Sequence, residues 1–329
     1  MGSLLDSRAG CQHTQIANDS PQSPVPNPHS PIKTFSTPVI TEEKKPIPCA
    51  VCGGNLFKPS LSCEGFSYVR CVNCGLVQMN PQPLEGETRR RYDDRYGEEY
   101  LSYELANEGS FLALALLALK DAGFDGIESE LLSNSVGVAN GVSGAKPPAR
   151  LLDIGCATGS LLAKLRERGW ETTGVEISGP QAEYGREKRN LNVRSLPLEK
   201  NHFHDASFNV ILASHLIEHL NAPAALVAEV YRILAPGGWF FVTTPNIAGF
   251  QARLFRGRWR SAIFDHLYLF SDKTLSRLLE EKGFVIERIG TWGGLAAGLA
   301  PAPVKRVFDR AAKRYGFGDV MIIRAKKRE

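Results

Sequence analysis

Long hydrophobic runs are missing from this chain of 329 residues. The longest apolar stretch, Phe111 to Leu119, falls far short of the roughly twenty residues a membrane-spanning helix requires, which excludes that class of protein. No basic-then-apolar segment opens the sequence, so no secretory leader is read, and Asp6 stands where an N-myristoylation signal wants Ser or Thr. A cytoplasmic protein is expected. Net charge is also small, because 39 Lys and Arg face 35 Asp and Glu, leaving +4. The excess is local: Arg253, Arg256, Arg258 and Arg260 share one loop, and the chain is basic from Lys305 onward. Such placement suits either solvated surface or contact with an acidic or phosphorylated small molecule. Gly-x-Gly-x-x-Gly directly after a strand, the loop that holds a dinucleotide pyrophosphate, is absent as well.

Cysteine is sparse, yet four of the seven form a pattern. Cys49-x-x-Cys52 and Cys71-x-x-Cys74 each offer two thiolates from one tight knuckle, with Gly53 and Gly75 following to relax the turn. Two knuckles complete a closed tetrahedral site for structural zinc, and a segment too small to bury its own core gains its fold from that metal. Disulfide pairing is the competing reading, and the lack of a leader argues against it. Cys63 is a spare between the pairs, and Cys11 lies in a tail rich in Ser, Pro, Gln, Asn and Thr, residues 1–46, whose composition predicts disorder.

The chain is organised around Leu151-Leu152-Asp153-Ile154-Gly155-Cys156-Ala157-Thr158-Gly159-Ser160. An apolar run ends in a carboxylate, glycines follow two and six residues later, and apolar periodicity then resumes, a pattern that predicts strand, tight loop and helix. Gly155 lets the chain turn sharply and Gly159 opens a helix whose free N–H groups face the same point, a nucleoside-sized cradle in which Asp153 would repel a phosphate. This stretch resembles motif I of the class I S-adenosylmethionine-dependent methyltransferases, and the chain downstream resembles the ubiquinone-biosynthesis-type branch of that family. Three further stretches stand in the expected order: Thr172 to Ser178, with an acid at a strand end; Ser207 to Ser214; and Leu234 to Val242. Tyr68 to Val77 followed by Asn80-Pro81-Gln82-Pro83 is similar to the zinc-ribbon module found ahead of many small-molecule methyltransferases.

Element by element, the pattern predicts strands near 150–154, 172–177, 193–196, 209–213, 239–243, 284–289 and 320–325, with helices over 160–168, 180–189, 223–234, 271–282 and 303–315. The expected fold is α/β: a Rossmann-like, doubly wound sheet of seven strands over residues 150–329, preceded by the disordered tail, a ribbon over 47–83, a helical lead-in over 84–124 and a flexible linker over 125–149. Ligands of such sheets sit at the carboxyl ends of the strands, where Asp153, Glu176, Ser195 and Ser214 fall.

The resemblance implies a cofactor, S-adenosylmethionine, bound by Asp153, Gly155, Cys156, Ala157, Gly159, Glu176, Ile177, Ser195 and Ser214. Glu176 would accept both ribose hydroxyls, which a carboxylate can do. Three departures stand out. Ala157 replaces a common glycine, which an ordinary backbone angle would tolerate; no acid accompanies Ser195 where relatives often hold the adenine amine; and Asn209 replaces a frequent Asp. His215-Leu216-Ile217-Glu218-His219 matches the inverted zinc-protease pattern, but that site needs one long helix and a third ligand, whereas Asn221 and Pro223 follow at once. As a methyltransferase segment it offers Glu218 to orient His219, and His219 or His266 to take the proton of a hydroxyl acceptor. In similar methyltransferases the helices before the glycine loop cover the acceptor pocket, so each of Tyr92, Tyr96, Tyr100 and Tyr103 is a candidate either to hold the acceptor or to serve in packing. The expected activity is O-methylation of a small molecule. An RNA methyltransferase gripping its substrate with ribbon and basic loops is one alternative, disfavoured because no Asn/Asp-Pro-Pro-Tyr/Phe follows the fourth strand; a non-catalytic binding protein is another.

Overall fold

The computed structural model describes residues 44–63, 65–86, 94–135, 148–295 and 299–329. The tail through residue 43, with Cys11, and the side chains of Tyr92 and Tyr96 lie outside what is described. The chain opens with β1 (Lys44–Lys45), β2 (Phe57–Cys63), β3 (Phe66–Cys71), β4 (Val77–Met79) and β5 (Gln82–Pro83), then α1 (Asp94–Asp121) and α2 (Phe124–Ser135). Alternation follows: β6 (Arg150–Ile154), α3 (Ser160–Glu167), β7 (Glu171–Val175), α4 (Gly179–Arg189), β8 (Val193–Arg194), β9 (Phe208–Ser214), α5 (Pro223–Ile233) and β10 (Leu234–Pro245). The chain ends with α6 (Phe250–Phe255), β11 (Tyr268–Leu269), α7 (Asp272–Glu280), β12 (Phe284–Trp292), α8 (Ala302–Tyr315) and β13 (Val320–Lys327).

Seven of these strands form one sheet in the order β12-β13-β10-β9-β6-β7-β8. Strands β6 to β10 pair in parallel, and β13 slots antiparallel between β10 and β12. Leu151, Leu152 and Ile154 of β6 are apolar on both faces because helices cover both faces of a parallel sheet, and Leu151 and Leu152 are fully buried. Ser271 caps α7 through a reciprocal pair with Thr274, and Leu275, Leu278 and Leu279 then bury one stripe. Strand β10 starts earlier than its pattern predicts, at Leu234, because Pro236-Gly237-Gly238 is absorbed as an irregularity between Leu234 and Trp239.

Two expectations change. Residues 124–135 are not linker but helix α2, with Phe124 buried and stacked on Trp170 at 5.6 Å and Ile127 buried beside it. The ribbon, moreover, is not a separate module. Its sheet runs β11-β4-β3-β2, so Tyr268 and Leu269, nearly two hundred residues downstream, complete it. Tyr68, Leu76, Val77 and Met79 accordingly share one continuous core with Phe240, Phe270 and Leu275.

Candidate active site

The glycine loop forms as its sequence predicts, and its geometry shows why the residue types matter. Gly155 and Gly159 take φ of +74° and +78°, and the N–H groups of Gly155 and Cys156 turn back onto the Val175 carbonyl. A Cβ on Gly159 would come within 2.5 Å of Leu191 Cδ1, and one on Gly174 within 2.6 Å of Cys156 Sγ. Ala157 does not keep an ordinary angle: its φ is +50°, a left-handed conformation that costs an alanine about 1 kcal/mol. The strained turn is held from below. Ala157 N donates to Glu176 Oε2 at 3.0 Å while Ser178 N donates to Oε1 at 2.8 Å, so Glu176 clamps the loop and keeps lone pairs on both oxygens, the acceptor pair a ribose diol requires.

Two carboxylates of this cradle are held above their ordinary range. Burial, then the charge of Glu176, pushes Asp153 up to about 7; burial raises Glu176 to about 6 against the opposing pull of its backbone N–H donors. For Asp153 the sign of the linkage is set by its raised folded value: its contribution to stability is complete below about pH 4 and is lost as pH rises through 7. Asp153→Asn is therefore expected to stabilise the ligand-free protein at pH 8 by on the order of 2–4 kcal/mol, with no gain at pH 4. Denaturant titrations across that range check it, and parallel curves for the two proteins would refute it.

A further carboxylate, missed in the sequence, comes from α1. Glu104 Oε1 accepts from Thr158 N at 3.0 Å and from Thr158 Oγ1 at 2.8 Å, while its Oε2 is buried without a hydrogen-bond partner. The signal was slight, a Glu104/Glu108 pair one turn apart, with Glu108 meeting Arg189. Helix α1 thus lies across the loop that binds the cofactor in the family resembled.

Other expected contacts are redistributed. Ile177 is partly exposed beside Glu176, Ser214 is exposed at the end of β9, and Ser195 Oγ accepts from Arg186 at 2.7 Å. The Cys156 thiol is buried and raised by that burial, so only its backbone fronts the cradle. Asn209 is at the opposite end of the sheet, where its Oδ1 receives Arg150 N at 2.8 Å, so its departure from Asp has no bearing on adenine.

The histidines do meet. Residues 217–219 form a single 3-10 turn after β9, and a Cβ on Gly155 would come to 3.5 Å from Leu216 Cδ1. The rings of His219 and His266 lie edge to face, 4.7 Å apart, and one ligating atom from each of Glu218, His219 and His266 falls within 4.8 Å of the others. Glu218 does not orient His219: it accepts from Thr244 Oγ1 at 2.9 Å and faces His215 Nδ1 at 3.4 Å, while His219 Nδ1 is held by the Asp265 carbonyl at 3.0 Å. Burial pushes the Glu218 carboxyl up, but His215, His219 and His266 outweigh it and hold it at about 2. It is an anion at every working pH.

Cys49, Cys52, Cys71 and Cys74 place their sulfurs within 4.8 Å of one another, with Cys49–Cys74 and Cys52–Cys71 separations of 3.4 and 3.5 Å, too long for disulfides and suited to a tetrahedral cation. Gly53 and Gly75 donate to Cys49 and Cys71 carbonyls at positive φ, as knuckles require. Cys63 is indeed outside this set, its thiol on the Gly257 carbonyl. Among the four arginines, Arg260 is committed to the buried Asp319, which also receives Trp259 Nε1, leaving Arg253, Arg256 and Arg258 exposed.

Residues 131–289 match the family model described as a methyltransferase domain. A protein of Mycolicibacterium smegmatis named as a probable S-adenosylmethionine-dependent methyltransferase is 34% identical over 157 residues, 46% of this chain and 57% of that protein. The ubiquinone biosynthesis O-methyltransferase of Psychrobacter cryohalolentis is 30% identical over 105 residues, 30% of this chain and 41% of that enzyme. The chain spans about half the length of these relatives. A solved structure from Thermotoga maritima, a SAM-dependent methyltransferase named as a possible histamine N-methyltransferase, is 27% identical and covers 56% of this chain and 84% of its own, with a TM-score of 0.44. With the glycine loop and the acid at the second strand end in their expected order, residues 131–289 form a methyltransferase domain similar to that of S-adenosylmethionine-dependent enzymes.

Proposed function

We propose that this protein transfers a methyl group from S-adenosylmethionine to a hydroxyl oxygen of a small molecule. The observation that supports the reading is that a Cβ on Gly155 would meet Leu216 Cδ1 at 3.5 Å, so the segment leading into the clustered Glu218, His219 and His266 runs alongside the glycine loop. The cofactor supplies an already activated methyl sulfonium. The chain's own residues bind it, align an acceptor and exclude water, a positioning effect worth roughly 7–11 kcal/mol.

Glu176 would take the ribose hydroxyls, and the backbone from Gly155 to Gly159 would lie against the nucleoside. Buried Oε2 of Glu104 offers the methionine ammonium a partner. Ile177 and Ser195 would flank adenine, and Ser214 the methyl side. A hydroxyl acceptor must lose a proton, and the buried anionic Glu218 with two imidazoles is where that proton is taken. Exposed Arg253, Arg256 and Arg258 suit an acidic or phosphorylated acceptor. Zinc in the four-cysteine site would be structural, because no coordination position is left open. Its thiolates suit the reducing cytoplasm, and among the described residues no helix is long and apolar enough to cross a membrane.

Calorimetric titration with S-adenosylmethionine and S-adenosylhomocysteine, followed by a screen of phenols, catechols and sugar hydroxyls with methyl-labelled cofactor, tests the reading. Micromolar binding of both cofactors and label recovered as a methyl ether are expected, with at least a hundredfold loss of transfer in His219→Ala. Label recovered only on carbon or nitrogen would overturn the hydroxyl assignment, and no cofactor binding would overturn the enzyme.

A further inference from the structure

A cavity of about 580 Å³ lies where the ribbon meets the sheet, and neither the glycine loop nor the four cysteines line it. Arg70 reaches it from β3, Arg253 from α6 and Lys273 from the first turn of α7, so three elements far apart in sequence bring their cations to one space. Like charges gathered in this way repel, and carboxylates ordinarily offset them. Here none of the three has an ion-pair partner among the described residues, and Asp272 is the one acid in the wall. Three cations less one carboxylate leave the lining at +2.

Arg70 is not a loose surface charge. It is half-buried, and its Nη1 donates to the Gly75 carbonyl at 3.1 Å, beside the knuckle that Cys71 and Cys74 close. That bond uses one of five guanidinium donors and aims the rest of the fork. On the sheet side, Ile247 N donates to Phe270 O at 2.9 Å, which joins the segment after β10 to the segment after β11. Ser271, also in the wall, stands five residues beyond His266, so chain length alone keeps this wall within about 18 Å of the histidine cluster.

We propose that this cavity binds the phosphate monoester group of an organic acceptor, with Arg70, Arg253 and Lys273 as its cationic wall. A phosphate monoester carries about −1.5 to −2 at neutral pH, which matches the lining, whereas a carboxylate would leave half of the charge uncompensated. The arginines suit phosphate oxygens through paired donors and the lysine as a point charge. The volume exceeds what phosphate alone fills, and Ile247, Ala248 and Phe317 give the remainder apolar walls, so the ligand has an organic body. The ribbon thereby supplies a residue to the ligand as well as support to the sheet. Phosphate binding stands on the lining itself; that the phosphate belongs to the methyl acceptor rests on the methyl transfer proposed above.

Calorimetry on the full, zinc-loaded chain tests the site, with phenyl phosphate, inorganic phosphate and benzoate as probes and S-adenosylhomocysteine titrated in parallel. Phenyl phosphate is expected to bind at least tenfold more tightly than the other two. Lys273→Gln and Arg253→Gln, both at exposed positions, should each weaken it about tenfold, and Arg70→Gln as much with zinc content unchanged, while Arg306→Gln on α8 changes it less than twofold. No binding of phenyl phosphate by protein that binds S-adenosylhomocysteine overturns the site and leaves the methyltransferase standing; phosphate binding without cofactor binding does the reverse. Equal affinity for inorganic phosphate would overturn the organic ligand, and equal loss in Arg306→Gln would reduce the effect to general surface charge and overturn the cavity. The acceptor assignment has its own arm, methyl transfer to 4-hydroxyphenyl phosphate against hydroquinone and to glucose 6-phosphate against glucose. A preference for the phosphorylated member that Lys273→Gln abolishes through KM, with kcat kept, is expected; equal or better transfer to the unphosphorylated member overturns it.

Discussion

Glu176→Ala is expected to weaken S-adenosylmethionine and S-adenosylhomocysteine alike by about 10³-fold or more, the largest single loss available on the cofactor side. The argument has two parts. A carboxylate hydrogen-bonded to two ribose hydroxyls contributes about 1.5–3 kcal/mol per bond, and alanine removes both. The same side chain receives Ala157 N and Ser178 N, so its loss also frees the turn in which Ala157 is held at φ +50°. Glu176→Gln separates the parts: the amide accepts with only one oxygen, so it should recover a portion of the binding and not all of it. Ser195→Ala should change affinity less than threefold, because the Ser195 hydroxyl is engaged by Arg186 rather than kept for the ligand. Calorimetry on the four proteins decides it, and an alanine variant that binds within tenfold of the parent would dismiss Glu176 as the ribose clamp. Equal loss for the two cofactors is part of the expectation, since they share the ribose and differ at sulfur.

The glycine loop and its clamp were legible because their determinants are local. Asp153, Gly155 and Gly159 declare a strand, a turn and a helix start within seven residues, and Glu176 declares itself as the first acid after the next apolar run. What sequence could not give is what distant elements do to that loop. Glu104 is an ordinary helical glutamate until a fold 54 residues long brings it onto Thr158. Ala157 reads as a mild substitution until Glu176 is seen holding it in a left-handed turn. Helix α2 was hidden by composition, since Gly, Ser and Asn dominate the segment as a whole; Phe124, Ile127 and Leu131 at helical spacing were the overlooked sign. The docking of the ribbon was illegible for another reason. Strand β11 is two residues long, and nothing in Tyr268-Leu269 marks a partner almost two hundred residues upstream.

That docking makes Cys71→Ser the most far-reaching substitution on the acceptor side. Cys71 ends β3 and Cys74 lies three residues before β4, so a metal held by the four cysteines, as proposed above, would fix the two strands on which the His266 segment is built. Tyr68 on β3 is 1% exposed, and its hydroxyl lies 2.8 Å from the carbonyls of both Ile263 and His266. On β4, Met79 N donates to Leu267 O at 2.8 Å, and Gln78 and Val77 pair with Tyr268 and Leu269. A ribbon of this size has too little core to stand without its metal, whose binding is worth about 10–16 kcal/mol in small zinc units. Removing one thiolate should therefore release the ribbon and, with it, residues 257–269. The seven-stranded sheet is hydrogen-bonded independently of the ribbon and should remain folded. The expected pattern is asymmetric: Cys71→Ser loses the cysteine-bound zinc and exposes the amides around His266 to exchange, while His219→Ala keeps that zinc and leaves the ribbon intact. Cofactor binding should shift less than threefold in either, since the Glu176 clamp is built on β6, β7 and α3. Tyr68→Phe, which keeps every cysteine, should retain the ribbon zinc and raise exchange only near Ile263 and His266. Full zinc content in Cys71→Ser would remove it from the ligand set, and zinc loss without any change in exchange at 257–269 would show that the histidine stands without the ribbon.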